Sequence, residues 1–154
     1  MERLKHILVN FFISPELIGT LLLYLVYLVN SQPFIWIADK LLENELLIYA
    51  PIAPAALLSF SVVNMRKILS PNISKKKVYY QWECYQQVKD TTYLGVFFLL
   101  IGLIMSVLPL IIGVEYLKGL SGLLLLTAYS ICLITSATML FASQSVEEIL
   151  EANT

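Results

Sequence analysis

The stretch YLGVFFLLIGLIMSVLPLIIG, residues 93–113, decides the fold, because its 21 residues include no charged side chain. A helix of about 20 mainly apolar residues crosses a hydrocarbon core about 30 Å thick. Gly102 and Ser106 have the small-xxx-small spacing that lets membrane helices pack closely. The stretch therefore predicts a transmembrane helix.

Three other apolar stretches resemble it, and the composition of the whole chain agrees. The chain is 58% hydrophobic and 14% charged, whereas a globular domain carries about 25% charged residues. Ser14-Pro15 predicts a capped helix start, and Pro51 with Pro54 predicts a kinked or broken one. We predict a single all-α integral membrane domain, residues 1–154, with transmembrane helices at about 15–30, 46–64, 93–113 and 120–142.

Orientation follows from the basic residues, which accumulate on the cytoplasmic side of membrane proteins. Lys40 and Lys118 fall on one side of the predicted membrane, and the other eight of the ten lysines and arginines fall on the opposite side. We therefore expect a multi-pass protein of the bacterial inner (plasma) membrane with both termini cytoplasmic. The eight residues are Arg3, Lys5, Arg66, Lys67, Lys75, Lys76, Lys77 and Lys89.

Two polar segments join the predicted spans. In residues 30–45, Phe34, Ile37 and Leu41 recur at helical spacing between charged residues, which predicts a helix in the outer interface. Residues 65–92, called the connector below, form the longest polar segment and are predicted to be cytoplasmic and helical from about Ser74.

The connector is the predicted docking site for a protein partner or for membrane lipid. A helix that continues into the third span projects from the bilayer as a docking post, whereas a helix lying flat places Trp82 among the headgroups and the lysines near anionic lipid. The sequence leaves both arrangements open. The candidate docking residues are Arg66, Lys67, Lys75, Lys76, Lys77, Trp82, Glu83, Tyr85 and Lys89.

Glu16 is the ionisable residue that falls inside a predicted span, where a charge costs about 2.5–3.5 kcal/mol on insertion scales. In a first helical turn its charge suits the helix dipole, and we expect water nearby. The stretch ELIGT, residues 16–20, resembles the first span of small multidrug resistance transporters, whose membrane glutamate exchanges protons for cationic drugs. That resemblance implies an intramembrane acid at Glu16, although the chain lacks the glycine-rich packing motif of their third span.

The sequence offers no pattern of an enzyme, a cofactor site or a metal site, and we expect none of these. Cys84 and Cys132 belong to no C-x-x-C pair, and no base-reading motif accompanies the lysines, so we expect no direct nucleic-acid binding. The predicted fourth span carries a hydroxyl face that serves either to pack helices or to line a pore between copies. Its residues are Thr127, Ser130, Thr135 and Thr138.

In layout the chain resembles compact four-span subunits of bacterial phage-defence systems, namely the membrane subunit of the Kiwa system and the Rex exclusion membrane protein. The resemblance lies in the span YAPIAPAALLSFSVV, the connector segment RKILSPNISKKKVYYQWECY and two very apolar final spans. The first family implies a homo-oligomer with a cytoplasmic protein partner, and the second implies membrane depolarisation. We expect a non-enzymatic sensor of membrane perturbation; the alternatives are a depolarising channel and a bacteriocin immunity protein.

Overall fold

A computed structural model describes residues 9–70, 84–113 and 117–152, with side chains described as far as residue 148. Every regular element in this part of the chain is helical. Residues 9–12 form a short helical segment before the first full helix. The elements that follow are α1 (Pro15–Val29), α2 (Gln32–Glu43), a 3-10 helix (Leu46–Tyr49), α3 (Ile52–Leu69), α4 (Tyr85–Ile112) and α5 (Lys118–Ala152).

Four stretches of the described chain are helical, long and apolar enough to cross a membrane. They have a mean hydropathy of 1.9 to 2.8. This confirms the prediction of an all-α chain with four helices of membrane-spanning character. The stretches are Val9–Val29, Leu46–Leu69, Tyr85–Ile112 and Lys118–Glu148.

Helix α3, which has Pro51 and Pro54 at its start, has the predicted broken start. Glu45 adopts a left-handed backbone with φ of 54°, and the 3-10 turn follows it. Pro51 caps α3 and Pro54 lies in its first turn, where a missing backbone N–H breaks no helical hydrogen bond. At the other end α3 stops at Leu69, and α4 begins at Tyr85, so both described ends of the connector are helical.

Helix α5 is the centre of the bundle and packs against α1, α2, α3 and α4. Small side chains allow this, because Ala128 and Cys132 are fully buried where α4 crosses. A Cβ atom on Gly102 of α4 would lie 2.6 Å from Cys132 Sγ and 3.2 Å from the Ala128 carbonyl oxygen. The close approach of α4 and α5 therefore requires glycine at position 102, because any larger side chain would collide with α5.

One end of the bundle, called the far end below, is covered by α2, which lies across the start of α5. Lys118 Nζ and Asp39 Oδ1 form an ion pair of 2.6 Å there. Phe34 is 2% exposed, and its carbonyl oxygen lies so close to Gly122 that a Cβ atom at position 122 would clash with it.

The opposite end, called the connector end, joins α3, α4 and α5. Ile68 and Val146 form a buried pair on which Tyr85, Val88 and Ala142 pack. Lys67 and Glu147 form a half-exposed ion pair of 3.4 Å beside this pair. At this end of the bundle, one small apolar cluster joins the helices that carry the two ends of the connector to α5.

Candidate functional site: a buried carboxylate beside a cavity

The site begins at a break in the first membrane-length stretch. The segment before the break ends with a bond from Ile13 N–H to the Val9 carbonyl. Ser14 is then extended, and its hydroxyl oxygen accepts the Leu17 N–H at 3.2 Å to cap α1. Pro15 follows at the first helical position, where a missing N–H costs nothing. The N-cap predicted from Ser14-Pro15 is confirmed.

Glu16 is in the first turn of α1, as predicted, but its side chain is only 6% exposed. Protein atoms therefore cover most of the Glu16 surface, and the space that remains beside it is the cavity described below. Thr135 of α5 is 1% exposed and donates a hydrogen bond of 3.0 Å to Glu16 Oε1. Among the acidic side chains that the structure describes, Glu16 alone is buried.

The position of Thr135 along α5 places the site between the two ends of that helix. At 1.5 Å per residue, Thr135 lies about 18 Å from Glu147 and about 26 Å from Lys118 along the helix. Glu16 is therefore far from the polar groups at both ends of α5.

A cavity of about 490 Å³ adjoins Glu16, between residues 10–16, α4 and the second half of α5. Phe98 of α4 lines this cavity and also stacks on Phe11, with ring centroids 5.3 Å apart and planes 9° apart. The described lining combines hydroxyl and amide groups with apolar walls and includes no lysine, arginine or histidine. Its polar members besides Glu16 are Asn10, Ser14, Gln87, Thr91, Thr92 and Thr138.

Gly95 brings α4 close to Thr135 and thereby supports the buried pair. A Cβ atom at position 95 would lie 2.6 Å from Met139 Cε and 3.2 Å from Thr135 Cγ2. No sequence pattern predicted a site role for Gly95 or for the cavity residues Gln87 and Thr91. The one signal available was that Gln87 and Thr91 are four residues apart and so share a face of a helix.

The predicted hydroxyl face of the fourth span divides between two environments. Thr127 and Thr135 are buried, and Thr127 donates to its own helix at the Leu123 carbonyl. Thr138 is exposed and donates to the Thr135 carbonyl at 2.9 Å, and Ser130 is half-buried. Only Ser130 and Thr138 therefore have surface available for a contact between copies.

The structure describes four of the nine candidate docking residues. Arg66 and Lys67 are exposed in the last turns of α3, whereas Tyr85 packs in the connector-end cluster and Lys89 is half-buried on α4. The others lie outside the described residues. They are Lys75, Lys76, Lys77, Trp82 and Glu83.

Comparisons with known proteins provide no family for the chain: no family model, no curated protein and no solved structure matches it. Within the described residues, no group of three or more histidine, cysteine, aspartate or glutamate side chains is placed to hold a metal ion. The interpretation of the site therefore depends on its own geometry.

Proposed function

We propose that this chain is a non-enzymatic subunit of the bacterial inner membrane that senses disturbance of the bilayer and transmits it to a cytoplasmic protein docked on the connector. In this proposal the subunit is homo-oligomeric, has both termini in the cytoplasm and serves in defence against phage. The connector residues Arg66 to Lys89 carry the partner or contact lipid.

One observation carries the proposal: the cavity beside Glu16 shares residues with the cluster at the connector end. Ile68, Val88 and Ala142 belong to both. A displacement of the first span at Glu16 would alter the packing of these three residues. Because they lie on α3, α4 and α5, the displacement would reach both described ends of the connector.

The first span suits the role of the moving part. In the most hydrophobic window of Val9–Val29, 11% of the residues are buried, against 50% for the corresponding window of Lys118–Glu148. Its full helix α1 packs mainly on α5, and Glu16 supplies its buried polar bond to that helix. A weakly packed helix with a backbone break, held by one buried hydrogen bond, can adopt two alternative positions.

Crosslinking of paired cysteines tests the movement. A Cβ atom on Gly19 of α1 would lie 3.4 Å from Ile134 Cδ1 of α5, so Gly19→Cys with Ile134→Cys reports the contact between these helices. Ser61→Cys with Ser136→Cys is the matched control, because these hydroxyl oxygens lie 2.9 Å apart between α3 and α5. Both pairs are made with Cys84→Ser and Cys132→Ala to remove the native thiols.

We expect the first pair to crosslink in energised vesicles and to crosslink much less after a protonophore or a pore-forming peptide is added. The control pair should crosslink equally in both conditions. Equal yields for the first pair before and after treatment contradict the sensor.

Two further measurements separate the alternatives. Replacement of Lys75, Lys76 and Lys77 by alanine should reduce recovery of the cytoplasmic partner, and unchanged recovery argues against docking there. A potential-sensitive dye should report a stable membrane potential after expression of the chain. Collapse of the potential on expression would favour a depolarising channel instead.

A further inference from the structure

We propose that a cleft between α1 and α4 holds one acyl chain of a membrane phospholipid, from the leaflet at the far end of the bundle. The cleft is separate from the cavity beside Glu16. The proposal requires that the helices cross a bilayer, and it does not depend on the sensor function proposed above.

The cleft exists because α1 and α4 both pack on α5 but hardly touch each other. These two helices form its walls, α5 forms its floor, and the space between them is a second cavity of about 300 Å³. Its apolar lining comes from all three helices. The residues are Leu17 and Leu21 on α1, Met105 on α4, and Leu123 and Leu124 on α5.

The polar side chains of the cleft do not require a polar ligand. Thr20 donates to the Glu16 carbonyl at 2.8 Å and Thr127 donates to the Leu123 carbonyl, so both hydroxyls are satisfied by their own helices. Tyr24 is exposed and lies nearest the far end, where tyrosine rings of membrane proteins reach the headgroups. No charged side chain belongs to the described lining. The cleft therefore suits hydrocarbon, since apolar cavities exclude water and accept apolar molecules.

The position of the cleft along the helices indicates the leaflet. At 1.5 Å per residue, Tyr24 lies about 7.5 Å and Leu17 about 18 Å from Val29, the last residue of α1. Met105 lies about 10.5 Å from Ile112, the last residue of α4. One leaflet contributes about 15 Å to the hydrocarbon core. The cleft therefore spans the depth from the middle to the end of an acyl chain in the leaflet at the far end.

The lining favours an acyl chain over a helix from a second copy. Interfaces between membrane helices are rich in small residues, which let two backbones approach closely. Apart from its two threonines, the described lining consists of leucine, tyrosine and methionine side chains, and Leu21 and Tyr24 are about half exposed at its edge. A volume of about 300 Å³ between such side chains admits a slender, flexible chain, whereas a helix is about 10 Å across.

The acyl chain is held by packing. Lipid tails are as apolar as leucine, so the hydrophobic effect does not drive a chain from the bilayer into the cleft. An empty cleft would instead forfeit dispersion contacts along its lining, and a chain restores them. The decisive measurement is therefore where the chain lies.

Photochemical labelling of the full chain in lipid nanodiscs tests the proposal. The probe is a phosphatidylethanolamine with a diazirine in the middle of one acyl chain, whose carbene inserts into the nearest side chain on illumination. Mass spectrometry of peptides identifies the labelled residues. We expect adducts on Leu123 and Leu124 at the floor of the cleft, besides adducts on exposed residues such as Leu22 and Ile104.

Two matched pairs of substitutions locate the chain. Leu21→Trp places a large ring in the cleft and should abolish the floor adducts, whereas Leu22→Trp, at the neighbouring exposed residue outside the lining, should preserve them. Met105→Trp and Ile104→Trp make the same comparison on α4. The second pair covers the case of a ring at position 21 that turns away from the cleft.

Three results would overturn the proposal. Adducts confined to exposed residues such as Leu22 and Ile104 would show a floor closed to lipid, as a second copy seated in the cleft would leave it. Floor adducts that survive in both Leu21→Trp and Met105→Trp would place the chain elsewhere. Phosphatidylglycerol with the same diazirine chain should label the floor equally, since no charged side chain lines the cleft; labelling by one headgroup alone would contradict a site that recognises the chain.

Discussion

The hydroxyl of Ser143 donates a hydrogen bond of 3.3 Å to Oδ1 of Asn64, joining α5 to α3 across an offset of 79 residues. The same offset relates Ser136 to the Leu57 carbonyl at 3.4 Å and Tyr129 to the Ala50 carbonyl at 2.9 Å. Successive contacts are thus seven residues apart on both segments. This interval shows that α3 and α5 run parallel, with the two-turn repeat of left-handed helix packing.

The hydroxyl pair Ser61 and Ser136 tests how much these polar contacts stabilise the bundle. A double-mutant cycle of Ser61→Ala and Ser136→Ala should give a coupling energy of about 0.6 kcal/mol, the usual value for hydrogen bonds between membrane helices. The measurement is the free energy of unfolding in mixed detergent. Ser59→Ala is the control partner, because Ser59 is exposed and bonds to its own helix; its cycle with Ser136→Ala should be additive. Additive behaviour of the first cycle would contradict the contact.

Removal of the Thr135 hydroxyl should destabilise the protein through Glu16. Thr135→Val leaves Glu16 Oε1 without its donor, and an unsatisfied buried polar group costs about 1–3 kcal/mol. Thr135→Ser keeps the donor and should recover most of this loss. Thr138→Val, which removes an exposed hydroxyl bonded to its own helix, should lie within about 0.5 kcal/mol of the unsubstituted protein. Thermal unfolding in detergent provides the measurement. Equal effects of Thr135→Val and Thr138→Val would exclude a stabilising hydrogen bond between Thr135 and Glu16.

Two glycines on membrane-length helices should respond to alanine with opposite signs. Gly102→Ala places a methyl group against Cys132 and Ala128 and should cost about 1–3 kcal/mol through overpacking. Gly19→Ala meets only ordinary contact with Ile134 and should stabilise α1 by up to about 1 kcal/mol, the difference in helix propensity. Adding Cys132→Ala to Gly102→Ala should restore part of the loss. Unfolding midpoints in detergent decide the signs, and a stabilising Gly102→Ala would refute the close approach of α4 and α5.

Features set by local sequence could be predicted, whereas features set by distant contacts could not. The absence of charge over residues 93–113 indicated a span directly, and the prolines at 15, 51 and 54 indicated where helices start. The burial of Glu16 depends on Thr135, which lies 119 residues later. Around Glu16 itself the sequence matches an ordinary helix start, so no local pattern distinguishes a wet first turn from a buried one.

The same limit applies to the cavity and to the central position of α5. Gly95 and Gly102 are both glycines in an apolar stretch, and only the opposing α5 side chains reveal that one supports the Glu16 site and the other a tight helix crossing. The extension of α5 through Ala152 also exceeds the predicted span of 120–142, because apolar residues beyond the span continue to pack against the other helices. Val146, for example, is 4% exposed against Ile68.

The two native cysteines allow the proposed orientation to be tested without any substitution. Cys84 is exposed at the cap of α4, whereas Cys132 is fully buried on α5. Because we propose that the connector faces the cytoplasm, a membrane-impermeant maleimide should leave intact spheroplasts unlabelled and should label inside-out vesicles at about one thiol per chain. Cys84→Ser should abolish that label, and Cys132→Ala should preserve it. Labelling of Cys84 from outside intact cells would reverse the orientation and remove the basis for a cytoplasmic partner.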